Sequence, residues 1–196
     1  MTTWQAIILG IVQGLTEFIP ISSTAHLVFT MRFLRLYEGV DKALQAEQTT
    51  ATMAVIQLGT LLAVLIYFAR DIVNISLAFV RDHFALFRGR PVTASSRLSN
   101  EAWLGWLVII GSLPVAVVGL LFKEQIEGGF TKNLWVIATM MIVVAVLLAF
   151  AERYGKRERT MQELGLRDAI AVGCAQVLAL IPGSSRSGST IMGGLL

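Results

Sequence analysis

Gly10-Ile-Val-Gln13-Gly-Leu-Thr-Glu17-Phe-Ile-Pro20-Ile-Ser22-Ser23, near the start of the chain, has a near-echo at the other end: Gly173-Cys-Ala-Gln176-Val-Leu-Ala-Leu-Ile-Pro182-Gly-Ser184-Ser185. Each stretch is an apolar helix pattern that carries a glutamine, breaks at a proline and then presents paired serines. The first copy adds Glu17 and His26; the second adds Arg186 and Thr190. Polar and ionisable groups inside apolar sequence are costly and need a compensating role. A duplicated polar break is a pattern from which membrane proteins build a site where two halves meet.

The sequence around these breaks is that of a membrane protein. Of its 196 residues 55% are hydrophobic and only 15% are charged, where a soluble domain carries about a quarter charged residues. The mean hydropathy is +0.70. One membrane domain, 1–196, is the natural unit. The net charge of +3 comes from 16 basic and 13 acidic residues. They lie mostly in loops, so the basic balance reports topology and no nucleic-acid partner is expected. The single cysteine, Cys174, cannot form an intramolecular disulfide and reads as a small packing residue. The first apolar run lacks a basic start and has Gln13 and Glu17 where a cleavage site would sit, so it reads as retained rather than as a removable signal peptide.

Three uncharged runs, 52–68, 103–122 and 134–151, approach the length of about 20 residues that spans a bilayer as a helix. Trp103, Trp106 and Trp135 sit near run ends, as interfacial anchors do. Residues 4–16 and 169–181 are too short to cross, and both end at a proline followed by hydroxyl residues. They read as the first arms of re-entrant hairpins, 1–36 and 169–196, whose irregular backbone must be buried in protein or face a wet cavity. Arg70, Arg81, Arg88, Arg90 and Arg97 follow the first span; Arg153, Lys156, Arg157, Arg159 and Arg167 follow the third. The loop between spans two and three holds only Lys123 and Lys132. The positive-inside rule puts the two arginine-rich loops in the cytoplasm, so the hairpins enter from opposite faces as an inverted repeat. Residues 72–87 are expected to form an interfacial helix in which His83 is an interfacial rather than a catalytic residue. A second half matching the first would need further spans after the second hairpin, so the last helices of such a repeat are expected to be missing.

Gln13 and Glu17 are four apart and share a helix face. A carboxylate in apolar sequence is a functional candidate, with pairing to Arg186 as the structural alternative. Ser22 and Thr24 follow the break and are expected to cap the next helix. Ser23 and His26 are three apart, and a hydroxyl beside an imidazole is the minimum pair for an activated nucleophile. The string from Pro182 to Thr190 is a small-residue turn with one arginine. Gly183 and Gly188 would let backbone amides approach an anion, and a helix starting near Ser187 would aim its positive end there. The hydroxyls of Ser184, Ser185, Ser187 and Thr190 add donors, and Arg186 supplies a planar fork for phosphate oxygens. The string lacks the Gly-Lys-Thr spacing of a Walker loop. A phosphate ester on a lipid suits the whole set, because the tail can stay in the bilayer while the phosphates reach the polar pocket.

With these motifs, Gln13 to His26 and Pro182 to Thr190, and with Val55-Ile-Gln57-Leu-Gly59-Thr-Leu-Leu-Ala-Val, the chain resembles the undecaprenyl-diphosphate phosphatases, also called bacitracin-resistance proteins. The resemblance runs the whole length. It implies an all-α integral membrane protein of the bacterial cytoplasmic (inner) membrane, multi-pass, with inverted repeats and two re-entrant hairpins. It implies removal of the terminal phosphate of undecaprenyl diphosphate, which recycles the lipid carrier for peptidoglycan and confers bacitracin resistance. It implies a divalent cation, Mg or Ca. The family's acidic motif falls on Gln13 and Glu17, its serine and histidine on Ser23 and His26, and its phosphate-binding arginine on Arg186. Gln13 cannot ligate metal as a carboxylate does, so Glu17 is the metal residue. The family continues for about two more membrane helices after the arginine motif.

The expected catalytic set is therefore Glu17, Ser23, His26 and Arg186, with Gln13, Gly183, Ser184, Ser185, Ser187, Gly188 and Thr190 binding substrate. Ser23 or His26 attacks phosphorus, or His26 activates water; the sequence leaves these open. The expected partners are the diphosphate lipid and membrane lipids, with a homodimer as an open alternative to a monomer. The competing reading is a lipid-phosphate transporter or flippase using the same inverted-repeat pocket. An intramembrane serine peptidase would not need the anion turn, and the basic and histidine motifs of vanadium-type acid phosphatases are absent.

Overall fold

The computed structural model describes residues 1–89, 98–127, 133–155 and 160–196, and among them every regular element is a helix. Arg90, Arg97, Lys132, Lys156, Arg157 and Arg159, which entered the charge argument, lie outside the described residues.

The N-terminal break organises the first three helices. Helix α1 (Thr3–Thr16) opens with a capping box in which Thr2 and Gln5 exchange bonds. The chain turns at Glu17–Pro20 and restarts as α2 (Ser23–Phe33), capped by Ser22. Helix α3 (Lys42–Tyr67) follows. Leu9 on α1, Leu27 and Met31 on α2, and Leu36 form a buried cluster, with Met53 and Ile56 of α3 packed against it. The first span was expected to begin at 52, but α3 starts ten residues earlier. Asp41 caps it through Ala43 N–H at 3.0 Å, and its first turns carry Glu47 and four glutamines or threonines that an apolar-run criterion excludes.

Helix α4 (Ala69–Phe87) covers the stretch expected to be interfacial, and α5 (Asn100–Leu121) packs on it. A short α6 (Lys123–Glu127) and then α7 (Leu134–Tyr154) complete the middle of the chain. Among the described residues, Ala43–Tyr67, Asn100–Leu121 and Leu134–Tyr154 are long and apolar enough to cross a membrane. Trp135 is 82% exposed, as an interfacial anchor should be. Trp106 is not an anchor of that kind: it is part-buried and its indole N–H donates to His83 Nε2 at 3.0 Å. His83 Nδ1 donates to the Phe79 carbonyl at 2.7 Å, so both ring nitrogens serve the α4–α5 contact.

Asp82 latches the same contact. It is fully buried, and its Oδ2 accepts from Ser99 N at 2.9 Å and Ser99 Oγ at 2.5 Å, while Oδ1 accepts from Arg81 Nε at 3.0 Å. Burial opposes the charge, but the Ser99 bonds and Arg81 outweigh it and hold the carboxyl below its ordinary value of 3.8. A depressed carboxyl stabilises the fold above its unfolded value, and that contribution is lost as pH falls through the lower folded value. Asp82→Asn is therefore expected to destabilise the protein by about 1–3 kcal/mol at neutral pH. The gap should close below the ordinary value of 3.8; thermal unfolding in detergent at both pH values checks this.

The C-terminal break is wedged into the bundle by glycines. Helix α8 (Leu166–Val177) ends in a 3₁₀ turn, Leu178–Leu180, and after Pro182 the chain restarts as α9 (Arg186–Leu195), capped by Ser185. A Cβ on Gly173 would sit 2.3 Å from the Gly111 carbonyl oxygen of α5. One on Gly193 would sit 2.7 Å from Ala175 Cβ. Small residues let apolar helices approach this closely, and close approach is what holds helices together where lipid removes the hydrophobic drive.

Candidate functional site

Two helix starts meet at one cavity. Ser22, Ser23 and Glu17 from the first break, and Gly183, Ser185 and Arg186 from the second, are among the residues lining a cavity of about 50 Å³. Both capping serines adopt positive φ, 64° at Ser22 and 52° at Ser185. Such backbone is costly outside glycine and asparagine and concentrates at functional sites. Ser22 Oγ accepts Ala25 N–H at 3.5 Å and Ser185 Oγ accepts Gly188 N–H at 3.2 Å. The N–H groups one and two residues after each cap, on Ser23, Thr24, Arg186 and Ser187, have no acceptor among the described residues. Two positive helix ends thus border the same space, which favours an anion.

Glu17 accepts hydrogen bonds from neighbours within the first break, Gln13 before it and Ser23 after it. Its Oε2 accepts from Gln13 Nε2 at 2.9 Å and from Ser23 Oγ at 2.5 Å. Gln13 was assigned to substrate binding, but it is 1% exposed and is not on the cavity wall. Its amide also reaches Thr60 Oγ1 on α3 at 3.3 Å. The Thr60 hydroxyl donates to the Gln57 carbonyl at 2.9 Å, which leaves its oxygen as an acceptor and fixes the Gln13 amide with nitrogen toward Glu17. Gln13 Oε1 is buried without a partner among the described residues.

Ser23 pairs with Glu17, not with His26 as the spacing suggested. A hydroxyl donating to a carboxylate is poised to lose its proton to it. His26 Nδ1 lies 2.8 Å from the Ser22 carbonyl oxygen, to which it must donate. His26 does not line either cavity at this site.

The turn around Arg186 is built differently from the expectation. Gly183 has φ 101°, and a Cβ there would lie 2.4 Å from the Ile137 carbonyl oxygen of α7. Its role in the fold is close packing on a neighbouring helix. The Gly188 amide is consumed by the Ser185 cap. Ser184 is fully buried and donates to Ile181 O at 2.7 Å; Thr190 donates to Arg186 O at 2.9 Å. Ser187 donates to Ile19 O at 3.1 Å and ties the second break to the first. The hydroxyls mostly shape the turn. The Arg186 guanidinium, by contrast, has no carboxylate or hydrogen-bond partner among the described residues, and no ion pair joins it to Glu17.

A second, larger cavity of about 760 Å³ adjoins the first and shares Glu17, Gln57 and Arg186 with it. Leu58, Leu61 and Val64 of α3 give it an apolar wall, and Ser187 and Thr190 lie at its α9 side. Gln57 and Thr60 were not singled out as site residues from the sequence. The signal was present: they are polar residues three apart on one face of an otherwise apolar span.

Among the described residues no group of three His, Cys, Asp or Glu side chains stands together as a metal cage. The site offers one carboxylate, which suits a hard cation that takes its remaining oxygens from phosphate and water.

This geometry defines a class: an all-α membrane protein in which two broken helices converge on a small polar cavity lined by a carboxylate, serines and an arginine. Residues 6–196 match the family described as bacitracin resistance protein BacA, and the chain belongs to that family. It is 49% identical over 195 residues to an undecaprenyl-diphosphatase from Syntrophobacter fumaroxidans, covering 100% of this chain and 66% of that relative. It is 47% identical over 196 residues to an undecaprenyl-diphosphatase from Mycolicibacterium vanbaalenii, covering 100% and 64%. With one from Mycobacterium leprae the identity is 44% over 195 residues, covering 100% and 62%. The chain thus spans 62 to 66% of the length of these curated relatives.

Proposed function

We propose that the protein removes the terminal phosphate of undecaprenyl diphosphate at this site, yielding undecaprenyl phosphate for cell-wall synthesis and so conferring bacitracin resistance. The observation that carries the reading is the convergence of Glu17, Ser23 and Arg186 on one small polar cavity with an apolar groove beside it. The relatives' names supply the substrate. We place the protein in the bacterial inner membrane as a multi-pass protein whose two hairpins are re-entrant from opposite faces.

In this reading Arg186 and the free amides at the two helix starts hold the diphosphate, and the prenyl tail leaves along the groove lined by Leu58, Leu61 and Val64. The Ser23 oxygen attacks the terminal phosphorus while its proton passes to Glu17. The bond from phosphorus to the bridging oxygen breaks and the lipid monophosphate departs. Water then cleaves the phosphoserine to release inorganic phosphate. A divalent cation, Mg or Ca, would be held by Glu17 together with the substrate's phosphate oxygens, and would supply neutralisation of phosphate charge. Ser23 is favoured over His26 as nucleophile because it lines the cavity with a carboxylate at its hydroxyl, whereas His26 does not line it.

The test is release of inorganic phosphate from a C55 diphosphate lipid by the intact protein in detergent, with and without chelator. Hydrolysis needs no compartments, so a flippase without phosphatase activity would give none. Ser23→Ala is expected to lose turnover and to leave no phosphate trapped on the protein after acid quench. A trapped phosphohistidine in that variant would transfer the nucleophile to His26.

A further inference from the structure

Polar groups on α3 face the site, and the protein satisfies all of them except one side chain. The Thr60 hydroxyl donates to the Gln57 carbonyl and accepts from Gln13. The Gln57 side-chain amide has no hydrogen-bond partner among the described residues. It lies in a span of mean hydropathy 1.8, where an amide without a partner is costly. Gln57 also borders both cavities, a property it shares, among the described residues, only with Glu17 and Arg186. Those two residues contribute a carboxylate and a guanidinium to the boundary; Gln57 adds a neutral donor from a third element.

We propose that Gln57 is a substrate-binding residue whose side-chain amide donates to the diphosphate at the boundary between the polar cavity and the apolar groove. The inference rests on the lipid-diphosphate reading of the site and deepens it. With the terminal phosphate in the small cavity and the tail in the groove, the boundary is where the phosphate nearest the lipid lies. A neutral amide suits that position. It supplies hydrogen bonds without adding a second cation that would hold the departing monophosphate, and its two N–H groups can reach adjacent oxygens. Changing the side chain leaves the Gln57 carbonyl in place, so the Thr60–Gln13–Glu17 chain of hydrogen bonds is undisturbed.

The experiment compares Gln57→Leu and Gln57→Glu with wild type in the intact protein, using farnesyl diphosphate in detergent and reading phosphate release against substrate concentration. Leucine keeps the span apolar and removes the donor. Loss of a hydrogen bond to a charged group is expected to raise KM about tenfold, with most of the loss in KM rather than kcat. Glutamate places a negative charge against phosphate and is expected to raise KM further than leucine does. A KM within twofold of wild type for Gln57→Leu, or a Gln57→Glu variant no weaker than Gln57→Leu, would overturn the assignment. Absence of hydrolysis in the wild type would count against the phosphatase reading, and the two failures are therefore distinguishable. For that case, retention of radiolabelled inorganic pyrophosphate by wild type and by Gln57→Leu supplies a readout without turnover. Loss of retention in the variant supports the assignment and equal retention overturns it.

Discussion

Arg186→Ala is expected to reduce phosphate release from a C55 diphosphate lipid by about a hundred- to a thousandfold, the scale on which removal of a preorganised charge donor acts. The guanidinium has no other occupation in the protein, having no ion pair or side-chain hydrogen bond among the described residues. Its removal therefore breaks nothing structural, and the variant should insert and unfold like wild type. The helix start behind it persists, because Ser185 rather than Arg186 caps α9. Arg186→Lys should recover only part of the loss: an ammonium restores charge but not the planar fork that matches two phosphate oxygens. Near-normal turnover in the alanine variant would remove the anion cradle from the mechanism.

The second large effect is expected at Glu17. Glu17→Gln keeps the size and can still accept from Ser23, but it can neither take the Ser23 proton nor neutralise a cation. A loss of about a hundred- to ten-thousandfold is expected, the range of a positioned general base. The variant also faces the Gln13 amide with a neutral group in place of a carboxylate, so the 2.9 Å bond weakens without being abolished. Gln13→Leu, which removes the support and leaves the carboxylate, should cost less than Glu17→Gln. Phosphate release measured at saturating lipid across the series checks the order. Equal losses in the two variants would mean that Gln13 does more than hold Glu17.

The sequence carried much of this site because its signals are local. Pro20 and Pro182 mark the breaks, and the serines after them cap the restarting helices through rules that act over three residues. The third span, read as 134–151, is the helix Leu134–Tyr154. What was not legible depends on contacts between distant segments. Spacing put Gln13 and Glu17 on one face but could not say which of the two turns toward the cavity. Gly183 borders the cavity and also packs on another helix, and the second contact, with the Ile137 carbonyl, could not be read from the sequence. Trp106 looked like an anchor because its partner, His83, is 23 positions away. Gln57 was overlooked because its surroundings in sequence are apolar, while its surroundings in space are Glu17 and Arg186.

The Ser187–Ile19 bond joins segments 168 positions apart. In a chain made from its N-terminus onward, the carboxylate and serine are in place long before the arginine emerges. The full lining of the cavity is thus set only once the second break has been made and docked against the first. That docking brings Gly173 against Gly111 and Gly183 against Ile137, where an added Cβ would fall 2.3 and 2.4 Å from the carbonyl oxygens.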